Sequence, residues 1–212
     1  MARNVVAGAL LALLVLVSGC TGALSGSVTF SASEATVNDA ALEDTGYEHN
    51  RTEEMTVTRT FEAAGQSKDV EVTNYISEYH KTVGIPGVAE KRAAVFATFV
   101  SPQVEVAGQS FNPLAEYDNR ELAEKFTDQL DSVDDVQRVD SRNRTVLGTE
   151  TEVTKFEATV TTTAGFEFDA YVHVTKVEHG DDHVVALAVY PQKLDDQSQN
   201  VERLLDGIEH GE

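Results

Sequence analysis

Residues 183–190 read His-Val-Val-Ala-Leu-Ala-Val-Tyr and are apolar on both of the alternating faces that a strand presents. Such a strand has to be covered on both sides, because either face left in water would expose a row of apolar side chains. One short segment thus calls for a sheet interior with a packing layer above and below it. Pro191 stops the run. Residues 166–177 form a second strand candidate, and the loop Glu178-His179-Gly180-Asp181-Asp182 is short enough to join the two as an antiparallel hairpin. With that turn centred on Gly180, His183 is expected opposite Val177.

Further strands follow from alternation. Met55, Val57 and Phe61 alternate with Thr56, Thr58 and Thr60, and Ala64-Gly65-Gln66-Ser67 turns the chain into a partner strand over 70–76. Gly84-Ile85-Pro86-Gly87 breaks the next run. Residues 93–100 are nearly all apolar, and Val95, Phe96, Phe99 and Val100 favour a central strand there over a helix. Residues 153–160 add another strand, with turns around Gly148 and Gly165.

Three helices are expected. Asn38 caps a short one that starts at Asp39 and ends at Gly46. Asp118-Asn119-Arg120-Glu121 has capping-box spacing, followed by Leu122, Phe126, Leu130 and Val133 on one helical face. Val201, Leu204, Leu205 and Ile208 mark a closing amphipathic helix. The expectation is a single α+β domain, an antiparallel sheet with N-terminal, central and C-terminal helices packed on it.

The N-terminus has a different character. Arg3 precedes an unbroken apolar run from Val5 to Val17 that ends in Val17-Ser18-Gly19-Cys20. A short cationic start, an apolar core too brief to span a bilayer and small residues before a cut describe a lipoprotein signal peptide over 1–19. Cys20, the sole cysteine, follows the cut and is the expected lipidation site. Arg3 has no arginine beside it, which favours the general secretory route. Residues 20–33 read as a lipid-anchored flexible tether rich in Ser, Gly and Thr, and residues 34–212 as the folded domain.

Composition bounds the partners. With 36 acidic and 16 basic residues the formal net charge is -20. Molar salt shortens the Debye length to about 3 Å and removes most of the self-repulsion of such a chain, so its surface is that of a halophile. Nucleic acid is excluded as a partner, since phosphate binding needs clustered Lys and Arg. Thiol-pair, phosphate-loop, zinc-peptidase, nucleophile-elbow and calcium-loop motifs are all missing, and no cofactor is expected.

Four residues of the 178–183 turn, His179, Asp181, Asp182 and His183, could offer metal ligands, but a solvated acidic turn is the expectation and no tight transition-metal site. His173 lies too far along its strand to complete one. Asn50-Arg51-Thr52 and Asn143-Arg144-Thr145 are N-glycosylation sequons beside expected loops, making Asn50 and Asn143 the candidate acceptors. Tyr75, Tyr79 and His80 could line a ligand strip, against the commoner reading that strand aromatics pack on a neighbouring layer.

Several segments together resemble a haloarchaeal lipoprotein family carrying a domain of unknown function: the lipobox Val17-Ser18-Gly19-Cys20, Ala35-Thr36-Val37-Asn38-Asp39, Arg92-Ala93-Ala94-Val95-Phe96, Ser101-Pro102-Gln103-Val104-Glu105-Val106, Phe111-Asn112-Pro113, Leu147-Gly148-Thr149-Glu150-Thr151 and Glu178-His179-Gly180-Asp181-Asp182. The resemblance covers essentially the whole chain and brings no catalytic residues with it. The order of hairpins and helices is also similar to the PsbP-like fold. The resulting expectation is a non-catalytic domain, lipid-anchored on the extracytoplasmic face of the cell membrane, that binds a protein or small ligand. The alternatives are a hydrolase or metal-dependent enzyme assembled from distant residues, and a structural envelope component.

Overall fold

The structure is a computed structural model that describes residues 27–63, 66–83, 91–106, 109–110, 112–127, 133–161, 167–194 and 197–211. The signal segment, Cys20, the expected turn residues Ala64, Gly65, Gly84 to Gly87 and Gly165, and Leu130 of the expected helix lie outside them. The chain divides into two compact units. The larger comprises Phe30–Thr56 and Val72–Glu212, and the smaller comprises Met1–Thr29 and Val57–Glu71.

The strands are β1 (Val28–Ser31), β2 (Ala35–Val37), β3 (Glu48–Ala63), β4 (Gln66–Val83), β5 (Lys91–Pro102), β6 (Glu105–Val106), β7 (Gln109–Ser110), β8 (Val133–Val146), β9 (Thr149–Thr161), β10 (Glu167–His179), β11 (Asp182–Pro191) and β12 (Ile208–His210). The helices are α1 (Asp39–Thr45), α2 (Asn119–Thr127) and α3 (Gln197–Asp206), with a 3-10 turn over Pro113–Ala115. The main sheet has eight strands in the order β1-β4-β5-β11-β10-β9-β8, with β3 paired to β4. Its registers from β4 across to β8 are antiparallel. The fold is an antiparallel sheet with three described helices, so it agrees with α+β while being mostly β.

Strand β11 lies between β5 and β10 and is buried almost throughout, as its two-faced apolar sequence requires. Val184, Ala186, Ala188 and Tyr190 join a core with Phe96, Val100, Ala41, Val201, Leu204 and Leu205, which is the layer of α1 and α3. Val185 and Leu187 join Phe156, Val172, Val174, Leu122 and Ala123, which is the layer of α2. Alternation along one strand thus feeds two cores.

The expected caps form as read. Asn38 Oδ1 accepts from Ala41 N at 2.9 Å, and Gly46 closes α1 in the left-handed region at φ 68. Asp118 Oδ1 accepts from Glu121 N at 2.8 Å while Glu121 Oε2 accepts from Asp118 N at 3.0 Å, a reciprocal capping box.

Four expectations need correction. Val133 does not extend α2 but opens β8, a strand that the sequence reading lacked. Its register shifts between Asp134 and Gln137, with Asp135 at φ 57, so that Val133 and Val136, three positions apart, both pack on the core of α2, and it shifts again between Arg138 and Asp140, where Val139 is 45% exposed. Ile208 does not end the closing helix. Gly207 stops α3 by donating to Arg203 O at 3.0 Å, and Ile208 pairs with Val37 in a two-stranded ladder. The expected tether over 20–33 overlaps the fold, since 28–31 are strand, Ala32 N donates to Thr73 O at 3.0 Å and Ala32 is buried. Finally, the hairpin turn is two residues, Gly180 and Asp181, with Gly180 at φ 59, so His183 stands opposite Glu178 and not Val177.

Candidate functional site

That one-residue difference separates the residues of the acidic turn. Asp182 pairs with His179 on the face of α1 and α3, whereas His183 pairs with Glu178 on the opposite face. His183 is buried, its Nδ1 3.7 Å from Glu178 Oε1 and without a hydrogen bond, and desolvation lowers its pKa. Asp181 remains in the turn, where its carbonyl accepts from Gln103 N at 2.7 Å. Among the described residues no three His, Cys, Asp or Glu side chains converge as metal ligands.

Asp182 instead meets a residue that the sequence reading had not singled out, His210 at the end of β12. Asp182 Oδ2 lies 3.0 Å from His210 Nε2 and accepts from Ser33 N at 2.8 Å. The Nδ1 atoms of His210 and His179 are 2.9 Å apart, with the rings steeply inclined at 76°. The side chains of Asp182 and His210 are 8% and 1% exposed, so the chain of contacts from the turn to both ends of the domain is shielded from water.

A second polar chain runs under α3. His173, on β10, is buried, and its Nε2 lies 2.9 Å from the Tyr190 hydroxyl, which is 2.8 Å from Ser198 Oγ in the first turn of α3. Lys155 Nζ, from β9, donates to the same Ser198 Oγ at 3.4 Å and sits 3.5 Å above the Tyr171 ring. His173 Nδ1 has no partner. The economical proton arrangement has His173 Nε2–H donating to Tyr190 and the Tyr190 hydroxyl donating to Ser198, which leaves only a lone pair unmatched at Nδ1. Burial, reinforced by Lys155 and Arg142, pushes the His173 pKa down to about 3, so the ring is neutral. Burial and Arg142 also lower Lys155.

Alongside, Arg142 and Arg144 on β8 face Glu202 and Asp206 on α3, with Arg144 Nη2 2.6 Å from Asp206 Oδ2. Arg142 Nη2 lies 2.7 Å from Glu202 Oε1 but out of line for a hydrogen bond, so that contact is ionic only. The space beneath α3, lined by residues including Phe96, Val153, His173, Val201 and Leu205, is a set of packing gaps with no room for a water molecule.

The remaining sequence candidates are placed as follows. Tyr79 is buried, its hydroxyl accepting from Val37 N at 2.8 Å, and Tyr75 is half-buried against the same core and donates to Glu54 at 3.1 Å. His80 Nε2 stands 3.7 Å from Glu78 Oε2. Asn50 and Asn143 are exposed as a glycan acceptor must be, but they sit within β3 and β8 and not in loops, their amides donating to Glu78 at 3.4 Å and Glu150 at 3.3 Å.

The sheet also offers an open edge. Strand β3 is 16 residues long, pairs with β4, and has no strand on its other side among the described residues. Every residue of 48–60 except Thr52 is exposed, including Met55 at 43%.

The model of a domain of unknown function, DUF6517, matches residues 34–209, and the chain belongs to that family. No curated protein matches it in sequence.

Proposed function

We propose that this member of the DUF6517 family is a lipid-anchored, extracytoplasmic domain of a halophile's envelope that holds a partner protein along its open edge strand, without chemistry of its own. The observation that carries the reading is β3. A long, exposed strand with unpaired backbone groups is a template for an added strand, and the charges along it, Glu48, Arg51, Glu53, Glu54 and Arg59, which would ward off pairing on an unused edge, set the pattern that a partner has to meet. Met55 supplies an apolar contact beside that backbone. The lipobox ending at Cys20 supports the anchor, and the eight residue steps from Cys20 to Val28 span at most about 28 Å, which keeps the start of β1 near the bilayer surface. The acidic excess supports a high-salt environment, and the likeness to haloarchaeal lipoproteins and to the PsbP-like fold belongs to this same reading. Two measurements test it. Cys20→Ser should move the protein out of the membrane fraction or block its processing, and Met55→Lys should weaken partner capture from detergent-solubilised membranes in molar salt. Normal membrane retention of the first variant and undiminished capture by the second would refute the two halves separately.

One observation favours a second reading, a hydrolase. Ser198 stands within reach of Lys155, whose pKa is lowered, and next to Tyr190, which is the layout of a serine activated by a lysine base. A substrate would have to approach from the solvent side, because the gaps beneath α3 admit nothing. Covalent labelling of Ser198 by a fluorophosphonate probe, lost in Ser198→Ala, would establish this reading in place of the first.

A further inference from the structure

We infer that the partner held by β3 is a second copy of this chain, added as an antiparallel strand about a two-fold axis through Thr56. The inference rests on the edge-strand reading above and names its occupant.

Strand β3 is regular along its open edge. Thr52, Thr56 and Thr60 lie within hydrogen-bond distance of Ser77, Thr73 and Asp69, so β3 and β4 both advance by four residues from one contact to the next and no bulge intervenes. The far edge of the sheet is built the other way. Strand β8 is broken by two register shifts, a device that keeps an edge from pairing.

Two identical edges that pair antiparallel within one sheet are related by a two-fold axis normal to it. The axis passes through one residue position, and each residue meets the one equally far on the other side, so the choice of centre fixes every pair. A centre on Arg51, Glu53 or Glu54 sets that charge against its own copy, and a centre on Met55 sets Arg51 against Arg59. A centre on Val57 brings no opposite charges together. A centre on Thr52 offers only Arg51 opposite Glu53, two residues already paired within the chain at 2.7 Å.

Thr56 is the centre that remains. It sets Glu53 opposite Arg59 twice and Met55 opposite Val57 twice, all on one face of the strand because the four positions are odd. Met55 and Val57, 43% and 39% exposed, are two of the three large apolar side chains that stand exposed among the described residues, and each covers the other across the axis. The charge of the whole chain sets the condition. Two chains of formal charge -20 repel each other in dilute buffer, and molar salt screens that long-range repulsion. Anchoring both copies to one bilayer raises their effective concentration.

The test co-expresses two differently tagged full-length chains, each with a photo-crosslinking residue in place of Met55, on native membranes in molar salt. An adduct carrying both tags is expected. Glu53→Arg and Arg59→Glu should each abolish it when both copies carry the same change, because like charges then face each other at two places. Mixing a Glu53→Arg copy with an Arg59→Glu copy should restore it, since both facing pairs are again opposite in sign and the variants are thereby shown to fold. Single variants that crosslink as the wild type does, or a loss that mixing fails to restore, would overturn the inference. An adduct with a different protein in place of the double-tagged one would overturn it and leave the edge-strand reading standing, and no adduct of any kind would overturn both.

Discussion

Acidification should unfold this domain through His173. The ring is 2% exposed, stacks on Tyr190 and faces the cations Lys155 and Arg142, which together hold its pKa at about 3 against 6.5 in the unfolded chain. A histidine depressed in the fold binds its proton only after unfolding. Its contribution to stability is therefore complete above pH 6.5 and is lost as pH falls toward 3, at up to about 1.4 kcal/mol per pH unit. Between pH 7 and pH 4.5 the loss from this one group comes to about 2.5 kcal/mol, a large share of a typical domain's stability. Urea unfolding at constant molar chloride, run at both pH values on the wild type and on His173→Phe, isolates the effect. Carboxylates and His183 contribute to both proteins alike, so the difference between the two should shift by about 2.5 kcal/mol in favour of the variant on acidification. A difference that stays constant with pH would mean that His173 accepts its proton within the fold, and the burial argument would fail.

Three further outcomes follow from the packing and charge. Tyr79→Phe strands the buried Val37 N–H and should cost about 1–3 kcal/mol in urea unfolding, an unchanged midpoint showing that water replaces the hydroxyl. Gly207→Ala would drive a methyl carbon into Ala41 Cβ and should cost about 1–3 kcal/mol, part of it recovered by adding Ala41→Gly; no coupling between the two changes would contradict the close approach of α1 to the end of α3. The thermal midpoint should climb steeply from dilute to molar potassium chloride as the Debye length falls from about 30 Å to about 3 Å, and a flat series would show the acidic charge to be balanced locally.

The elements that the sequence announced were those with a local signal. The caps at Asn38 and Asp118 are short-range chemistry, and 183–190 carries its two buried faces in its own composition. Strand β8 escaped because a register shift puts Val133 and Val136, three positions apart, on the same core, a spacing that resembles one side of a helix. The slip in the β10–β11 register had a larger effect, since it set His183 on the same footing as His179 when the turn sends them to opposite faces. His210 had no signal at all. It lies in a three-residue strand, and its partners are 28 and 31 positions away. The chain from His173 to Ser198 and Lys155 was equally silent, because tertiary packing and no spacing rule brings three segments together under α3.

The central claim, an anchored domain that grips a partner by the edge of β3, is tested most directly by a photo-crosslinking residue placed at Met55 in the full chain on native membranes, in molar salt. One discrete adduct with a single protein is expected, and it should vanish when Cys20→Ser removes the chain from the membrane. A membrane-bound chain that stays uncrosslinked at Met55 under the same irradiation would contradict the claim.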